Sequence, residues 1–137
     1  MADKQEKVNS KKILIVDDLD DLLDLYITLF TELNISAVKT CTSTKAGIAA
    51  LKASTFDLII TDLAQGGKLI GQELITAAQK IQPKTPIVVA SGNVLASEII
   101  ERIGGLHKLE KPFKTEEFYN LICPLLGLPL PAGYSRQ

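Results

Sequence analysis

The sequence predicts an α/β fold, a three-layer α/β/α sandwich built around a five-stranded parallel sheet. Short, continuous runs of aliphatic and β-branched residues alternate along the chain with longer segments whose apolar residues recur at helical spacing. Parallel neighbouring strands need crossover connections, so strands that alternate with helices are typical of a parallel sheet with helices on both faces. Five strand–helix pairs fit between residues 11 and 126, the predicted extent of the domain.

The first two strand–helix pairs occupy the chain up to residue 53. Residues 12–16 form an apolar run that ends abruptly in two aspartates, which is typical of a buried strand. Residues 20–33 follow with apolar side chains, Tyr26 among them, at helical spacing, and acidic residues in the first turn favour the helix dipole. A weak strand near residues 36–40 then precedes an alanine-rich helix from residue 43 or 44 to residue 53.

The third pair repeats the pattern of a buried strand that ends in a carboxylate. The strand is predicted over residues 56–61 and is followed directly by Asp62. A glycine-containing loop over residues 64–68 leads to a helix over residues 69–81, which Pro83 terminates.

Each of the last two predicted strands is also followed by a helix: residues 86–90 and 94–103 form one pair, and residues 106–109 and 115–126 form the other. The fourth helix stops at a pair of glycines. For the last helix, Thr115 is the expected N-cap and Pro124 an early limit.

Composition limits the classes of protein to which the chain can belong. Its 137 residues, 46% hydrophobic and 23% charged, fit one globular domain. The net charge is -1 with both signs dispersed, so we expect no direct contact with nucleic acid. The sequence has no apolar run long enough for a membrane span and no recognisable signal peptide, so a cytoplasmic protein without membrane contact is expected. Residues 1–10 are interpreted as a polar leader and 127–137 as a tail too short for an effector domain, which favours a stand-alone domain.

The two cysteines do not indicate a metal or catalytic centre. Cys41 and Cys123 are far apart in the sequence and belong to no CxxC pair. The chain has a single histidine, His107, to accompany them. Two reduced, buried thiols are therefore expected.

Polar residues follow four of the predicted strands: Asp17 and Asp18 the first, Asp62 the third, Ser91 the fourth and Lys111 the fifth. In open parallel sheets ligands bind beyond the carboxyl ends of the strands, where the strand order reverses. Carboxylates crowded together there repel one another unless a cation joins them, and Mg²⁺ is a cation that prefers oxygen ligands. A lysine and a hydroxyl beside them would stabilise transferred negative charge, so a carboxylate that accepts a phosphoryl group is chemically reasonable.

Each residue taken alone has a simpler interpretation. Asp17 and Asp18 would cap the following helix, Asp62 would bind backbone amides, Ser91 would cap a helix, and Lys111 would lie exposed in a turn. The coincidence of suitable residue types at four strand ends favours a shared site over these separate roles.

As a set, these residues resemble the receiver domains of bacterial response regulators over about residues 11–126. The motifs that carry the resemblance are Ile15-Val16-Asp17-Asp18, Ile59-Ile60-Thr61-Asp62, Val88-Val89-Ala90-Ser91-Gly92 and Glu110-Lys111-Pro112-Phe113. The resemblance implies the (βα)5 flavodoxin-like receiver fold and a part in a two-component or phosphorelay system. The implied partners are a sensor histidine kinase or phosphotransfer protein and a downstream protein target.

The resemblance also implies a role for each site residue. Asp62 would be the phosphoacceptor, Ser91 the hydroxyl that moves to the phosphoryl oxygens, and Lys111 the ion-pair partner of the phosphoryl group. The Mg²⁺ ion would be bound directly by Asp18, by Asp62 and by the backbone carbonyl of Ala64, and through water by Asp17. The Lys111-Pro112 bond is often cis in such domains.

Two features depart from the family pattern. Residues 65–71 form a loop one residue longer than usual and lack its methionine and proline, which affects the surroundings of the metal. Lys108 occupies the position that usually holds an aromatic side chain involved in the switch. Output is expected through the fourth helix, fifth strand and fifth helix.

Two other functions fit parts of the sequence. A degenerate receiver would act only as a phosphorylation-independent protein-binding module, which the unusual loop and Lys108 favour. A small aspartyl-phosphate hydrolase is suggested by Asp18-Leu19-Asp20, but the chain has no room for a cap domain and no later acidic pair. We expect a switch rather than an enzyme.

Overall fold

A computed structural model describes residues 9–65, 68–69, 71–92 and 96–134 of the chain. In chain order the elements are β1 (Asn9–Val16), α1 (Asp20–Thr31), β2 (Ile35–Cys41), α2 (Thr44–Ala53), β3 (Leu58–Thr61), β4 (Ala64–Gln65), β5 (Lys68–Leu69), α3 (Gln72–Ile81), β6 (Ile87–Ser91), α4 (Ala96–Ile103), β7 (His107–Glu110) and α5 (Thr115–Leu126).

Five of the strands form one parallel sheet in the order β2-β1-β3-β6-β7. The chain moves from β1 outward to β2 and then crosses back to β3, so the direction of winding reverses between β1 and β3. The predicted α/β fold with its five-stranded parallel sheet is confirmed.

The core has two layers, one on each face of the sheet. Alternate residues of β1 face opposite sides, so that Ile13 and Ile15 pack with α1 and α5 while Leu14 and Val16 pack with α2, α3 and α4. The layer beneath α1 and α5 also contains aromatic rings in tilted and edge-to-face contact. Because both faces are covered, the central strands β3 and β6 are buried throughout, in line with the continuous apolar runs in the sequence.

The first strand and the first helix differ from their predicted bounds. The described part of β1 begins at Asn9, inside the predicted polar leader, where Asn9 pairs with Ile35 of β2. α1 ends at Thr31 rather than at 33. Leu33 continues the apolar pattern but packs into the core from a turn, which Asn34 closes with a φ of 60°.

The segment after Asp62 is a hairpin rather than the expected loop. Ala64 pairs with Leu69, and Gln65 pairs with Lys68, in two short antiparallel strands. The amide of Gly71 then donates to the carbonyl of Leu63 at 2.9 Å, which closes the base of the hairpin. The predicted start of the third helix at residue 69 is therefore wrong, and α3 begins at Gln72.

The last helix covers the predicted residues 115–126, but its N-cap and the role of Pro124 differ from the prediction. Its N-cap is Lys114 rather than Thr115, and the backbone amide of Lys114 donates to the Glu117 carboxylate at 2.7 Å. Pro124 lies inside the helix, which continues to Leu126 and ends at Gly127 in the left-handed conformation. Pro124 is therefore not the limit of the helix that the sequence suggested.

Three further predictions concern smaller features. The predicted start of the fourth helix at residue 94 lies outside the described residues, and the described part of α4 begins at Ala96. Cys41 and Cys123 are buried and unbridged, as expected. Among the described residues, none of the helices is both long and apolar enough to cross a bilayer.

Candidate functional site

The site lies at the carboxyl-terminal edge of the sheet, where the winding reverses. β1 and β3 are adjacent and parallel, with Val16 opposite Thr61, so the residues that follow each strand are brought together. These are Asp17 and Asp62, and the amide of Asp62 donates to the carbonyl of Val16 at 3.1 Å. The sheet topology thereby joins two carboxylates that are distant in the sequence.

Three carboxylates form a compact group at this edge. Each of Asp17, Asp18 and Asp62 offers an oxygen atom, and these atoms all lie within 4.8 Å of one another. Asp17 is 1% exposed and Asp62 is 6% exposed, whereas Asp18 is open to solvent. The group therefore has two buried members and one member that faces water. Below, the three residues are called the acid cluster.

Lys111 joins two members of the acid cluster. Its ammonium Nζ lies 3.0 Å from Asp17 Oδ2 and 2.9 Å from Asp62 Oδ2. Burial lowers the pKa of Lys111, but the hydrogen bonds and charges of Asp62 and Asp17 outweigh burial and raise the pKa above its ordinary value. The lysine is therefore held in its charged form.

Backbone contacts fix the loop that carries Lys111. The amide of Lys111 donates to the carbonyl of Ser91 at 3.1 Å, which links the ends of β6 and β7. A Cβ atom at Gly92 would lie 3.3 Å from the carbonyl oxygen of Lys111, so the two backbones pass close together here. The Lys111-Pro112 peptide bond is cis. Ser91, 4% exposed at the end of β6, is thus placed beside the lysine loop.

Two further residues named from the sequence are Ala64 and Lys108. Ala64 belongs to β4, two residues beyond Asp62, and its backbone takes part in the hairpin. Lys108 is exposed on β7, and its ammonium donates to the hydroxyl of Ser97 on α4. Lys108 thus links β7 to α4 at the position where receiver domains usually have an aromatic side chain.

Sequence reasoning missed one polar group near the site. Tyr26 was grouped with the apolar residues of the first helix, and it is indeed fully buried between α1 and the sheet. Its pKa is raised by burial first, and then by the charges of Asp17 and Asp62. Only the three-dimensional placement shows that this phenol lies near the acid cluster, because Tyr26 has the spacing of an ordinary core residue.

The donor set of the acid cluster fits a hard divalent cation. Carboxylate oxygens are the ligands that Mg²⁺ prefers, and it usually retains several water ligands. The exposed side of Asp18 leaves room for that water. The Lys111 ammonium balances part of the negative charge of the cluster, so the site does not depend on the cation alone for its charge balance.

This fold, with an acid cluster and a lysine at the reversal point of the sheet, is that of a class of signalling domain. The chain belongs to the family described as the response regulator receiver domain, whose family model matches residues 13–122. It is therefore a receiver domain of two-component systems, as the resemblance implied, and receiver domains bind Mg²⁺ at an acidic pocket.

Among curated proteins, the chain is similar to the nitrogen assimilation regulatory protein NtrX of Azorhizobium caulinodans. The two are 31% identical over 107 residues, which cover 76% of this chain and 23% of that protein. The chain thus spans about a quarter of the length of this relative.

Solved structures of receiver domains share the fold. A response regulator receiver protein from Sinorhizobium medicae is 26% identical with a TM-score of 0.76, and the match covers 87% of this chain and 96% of that one. The receiver domain of NtrX from Brucella abortus is also 26% identical, with a TM-score of 0.74 and coverage of 86% and 100%.

Proposed function

We propose that this chain is a phosphoacceptor switch of a two-component or phosphorelay system, phosphorylated on Asp62 in a Mg²⁺-dependent reaction. The observation that carries the proposal is the acid cluster itself, three carboxylates within 4.8 Å with Lys111 bonded to two of them. Asp62 follows β3, the middle strand of the sheet, and contacts the lysine. A nucleophile flanked by a cation suits acceptance of an anionic phosphoryl group.

The proposed reaction is a direct transfer of the phosphoryl group. A carboxylate oxygen of Asp62 attacks phosphorus, and the bond from phosphorus to the donor breaks, with its electron pair leaving on the donor atom. The donor is a phosphohistidine of a sensor histidine kinase or phosphotransfer protein, or a small acyl phosphate. Lys111 is already within 2.9 Å of Asp62, so its ammonium needs only a small movement to contact the phosphoryl oxygens.

The metal would be held by Asp18 and Asp62 directly, by Asp17 through water and by the backbone carbonyl of Ala64. Magnesium at this place would offset the negative charge of the acids and bind phosphoryl oxygens. Asp17 is well placed for an indirect role because both of its oxygens already accept hydrogen bonds, Oδ1 from the amide of Leu19 and Oδ2 from Lys111. Asp18 is exposed, so a metal ion from solvent would reach the acid cluster on the side of Asp18.

The signal would leave through a separate protein target at the surface formed by α4, β7 and α5. Ser91 lies at the end of β6 beside the site, and β6 is the direct neighbour of β7. Movement of its hydroxyl toward a phosphoryl group would shift the end of β6 and so change the position of α4, which follows β6 in the chain. In this chain Lys108 and Ser97 join α4 to β7 by a hydrogen bond, so the readout would pass through a polar contact instead of an aromatic ring.

The test is labelling with acetyl phosphate in the presence of Mg²⁺, followed by the mass of the intact protein. The parent protein is expected to gain one phosphoryl group, and omission of Mg²⁺ should suppress the gain. Asp62→Asn should abolish it, since an amide is a far weaker nucleophile than a carboxylate.

A matched control is Asp57→Asn, because Asp57 precedes β3 and Asp62 follows it. Asp57 is an aspartate whose carboxylate accepts the amide of Lys12 at 2.8 Å, far from the acid cluster. This variant should be labelled like the parent. Labelling of Asp62→Asn at the parental level would refute the assignment of the phosphoacceptor.

A further inference from the structure

The hydroxyl of Tyr26 is a buried polar group that the proposed function leaves unexplained. The residue is 0% exposed, and within the described residues its hydroxyl oxygen forms no hydrogen bond. A phenol both donates and accepts, and nearly all buried polar side-chain atoms in proteins have a partner. A hydroxyl in this situation therefore indicates a partner that the present arrangement of side chains does not offer.

Tyr26 lies in the core layer beneath α1 and α5, close enough to the acid cluster for the charges of Asp17 and Asp62 to act on its phenol. Its ring stacks on that of Phe113, with centroids 5.9 Å apart and planes inclined by 23°, and Phe113 is the second residue after Lys111. The charges of Asp17 and Asp62 act on the phenol and add to the effect of burial in raising its pKa. The Lys111 side chain is 16% exposed, whereas Tyr26 is 0% exposed and belongs to the core.

Asp17 has an acceptor atom whose donor is expected to move. Asp17 Oδ2 accepts from the Lys111 ammonium at 3.0 Å, while Oδ1 accepts from the amide of Leu19. When Lys111 turns to a phosphoryl group on Asp62, Oδ2 loses this donor. The oxygen belongs to a side chain that is 2% exposed, and a buried carboxylate oxygen without a donor is unfavourable.

We propose that Tyr26 is a positioning residue of the phosphoacceptor site, whose hydroxyl donates to Asp17 Oδ2, directly or through one water molecule, once Lys111 turns to the phosphoryl group. The Tyr26 hydroxyl, which lacks a partner among the described residues, and Asp17 Oδ2, which loses its donor, would then form a hydrogen bond with each other or with a shared water molecule. Tyr26 holds Asp17 in its orientation while the lysine moves, which a phenylalanine of the same shape could not do. This inference rests on the proposed function, because it needs the phosphoryl group to draw Lys111 away.

The test is Tyr26→Phe, which removes the hydroxyl and keeps the stacked ring. The rate of phosphoryl incorporation from acetyl phosphate and Mg²⁺ should fall roughly tenfold, the effect expected for one hydrogen bond to a charged group. The thermal midpoint should stay the same or rise, because the resting protein loses only a buried hydroxyl without a partner. A purely structural tyrosine would not slow the labelling.

Tyr119→Phe is the matched control. Tyr119 is buried in the same layer of the core, but its hydroxyl already donates to the carbonyl of Leu29 at 2.9 Å. Its removal should lower the thermal midpoint and leave the labelling rate at the parental value. The pair of variants thus separates an effect on the site from an effect on stability.

A spectroscopic readout gives a second measure. The chain has three tyrosines and no tryptophan, so the near-ultraviolet difference spectrum on adding beryllofluoride and Mg²⁺ reports tyrosine hydrogen bonding directly. The parent and Tyr119→Phe should show a tyrosine difference band, which Tyr26→Phe should lose. If Tyr26→Phe is labelled at the parental rate and keeps the band, this inference is overturned and the proposed function stands. If the parent itself takes no label, the proposed function fails and the inference fails with it.

Discussion

Lys111 shares one ammonium between two buried carboxylates and offsets part of their charge. Asp17 and Asp62 lie close enough to share it, at 3.0 and 2.9 Å, and the lysine side chain is 16% exposed. Breaking a buried ion pair by removing one partner is strongly destabilising, because the remaining charge is left uncompensated. Here the loss of one lysine would leave two such charges facing a third carboxylate, that of Asp18.

We therefore expect Lys111→Met to lower the free energy of unfolding by about 3 kcal/mol when divalent cations are removed by a chelator. Addition of Mg²⁺ should restore much of this loss, because the cation then takes over the charge balance of the acid cluster. Magnesium should also bind this variant more tightly than the parent, since a competing positive charge is gone. Chemical denaturation with and without Mg²⁺, together with a magnesium titration, measures both effects.

Lys84→Met serves as the control at this scale. Lys84 is exposed in the turn before β6, at the opposite edge of the sheet. Its replacement should change stability by only a few tenths of a kcal/mol and should show no dependence on Mg²⁺. Equal behaviour of the two lysine variants would mean that Lys111 does not balance the charge of the cluster.

The hairpin of β4 and β5 depends on a close approach of backbones at its base. Gly71 has an ordinary φ of -66°, so its backbone conformation alone does not require glycine. A Cβ atom at this position, however, would lie 2.2 Å from the carbonyl oxygen of Asp62 and 2.7 Å from the Cα of Leu63. Both neighbours are backbone atoms, one of Asp62 itself and one of the residue after it, so relief of the overlap requires the chain itself to move.

Gly71→Ala is therefore expected to displace the start of α3 from Leu63 and to shift the backbone at Asp62. Stability should fall by more than about 2 kcal/mol, and labelling of Asp62 should slow, since its carboxylate is no longer held against Lys111. Denaturation curves and the acetyl phosphate assay check the two parts.

Gly105→Ala is the comparison for this variant. Gly105 has a φ of 72°, and a Cβ atom there would have no neighbour within 4 Å. Its cost should be that of the left-handed conformation alone, about 1 kcal/mol, with no change in labelling. A Gly71→Ala protein as stable and as readily labelled as Gly105→Ala would show that the tight base of the hairpin is unimportant.

The same segment shows where prediction of the elements failed. Runs such as residues 12–16 and 56–61 were recognisable as strands because both faces of the sheet are covered. The hairpin was expected to be a loop, because each of its strands has only two residues and no periodicity can be read from so few. Leu33 and Pro124 led to wrong predictions of where α1 and α5 end. An apolar residue in a turn and a proline within a helix are both tolerated once tertiary packing supports them.

At the level of the whole molecule, the two buried phenols make stability sensitive to alkali. Burial raises the pKa of Tyr119 to about 12, helped by the charge of Glu32, and it also raises the pKa of Tyr26. In the unfolded chain these phenols ionise near their ordinary value of 10.0, while the folded protein keeps them neutral. The unfolded state therefore loses protons first, and stability falls as pH rises above 10.

The free energy of unfolding should accordingly be independent of these tyrosines below pH 10 and decline toward pH 12. Lys111 acts in the same direction, because its raised pKa stabilises the fold only while the lysine is protonated. Denaturant titrations across this range measure the decline, and the Tyr119→Phe variant should reduce its slope. Phenolate absorbance that develops fully near pH 10 in a protein that is still folded would contradict the expectation.

The residues of the acid cluster could be named from the sequence because the parallel topology brings strand ends together. The position of Asp17, Asp62 and Lys111 at one edge follows from strand order alone. Their contacts do not, since which carboxylate oxygen the ammonium meets depends on side-chain packing around the lysine loop. Tyr26 could not be found by the same reasoning, because its position on the helix predicts burial and says nothing of where the hydroxyl points.

The ion pairs of Lys111 join residues that are far apart along the chain, 94 positions from Asp17 and 49 from Asp62. Contacts of such long sequence separation form only after large loops have closed, which places them late in the assembly of a parallel sheet. The site therefore does not exist in a partly folded chain that lacks β7. Any ligand that binds there binds only when the whole sheet is formed. Occupancy of the site should therefore raise the free energy of global unfolding rather than stabilise one loop alone.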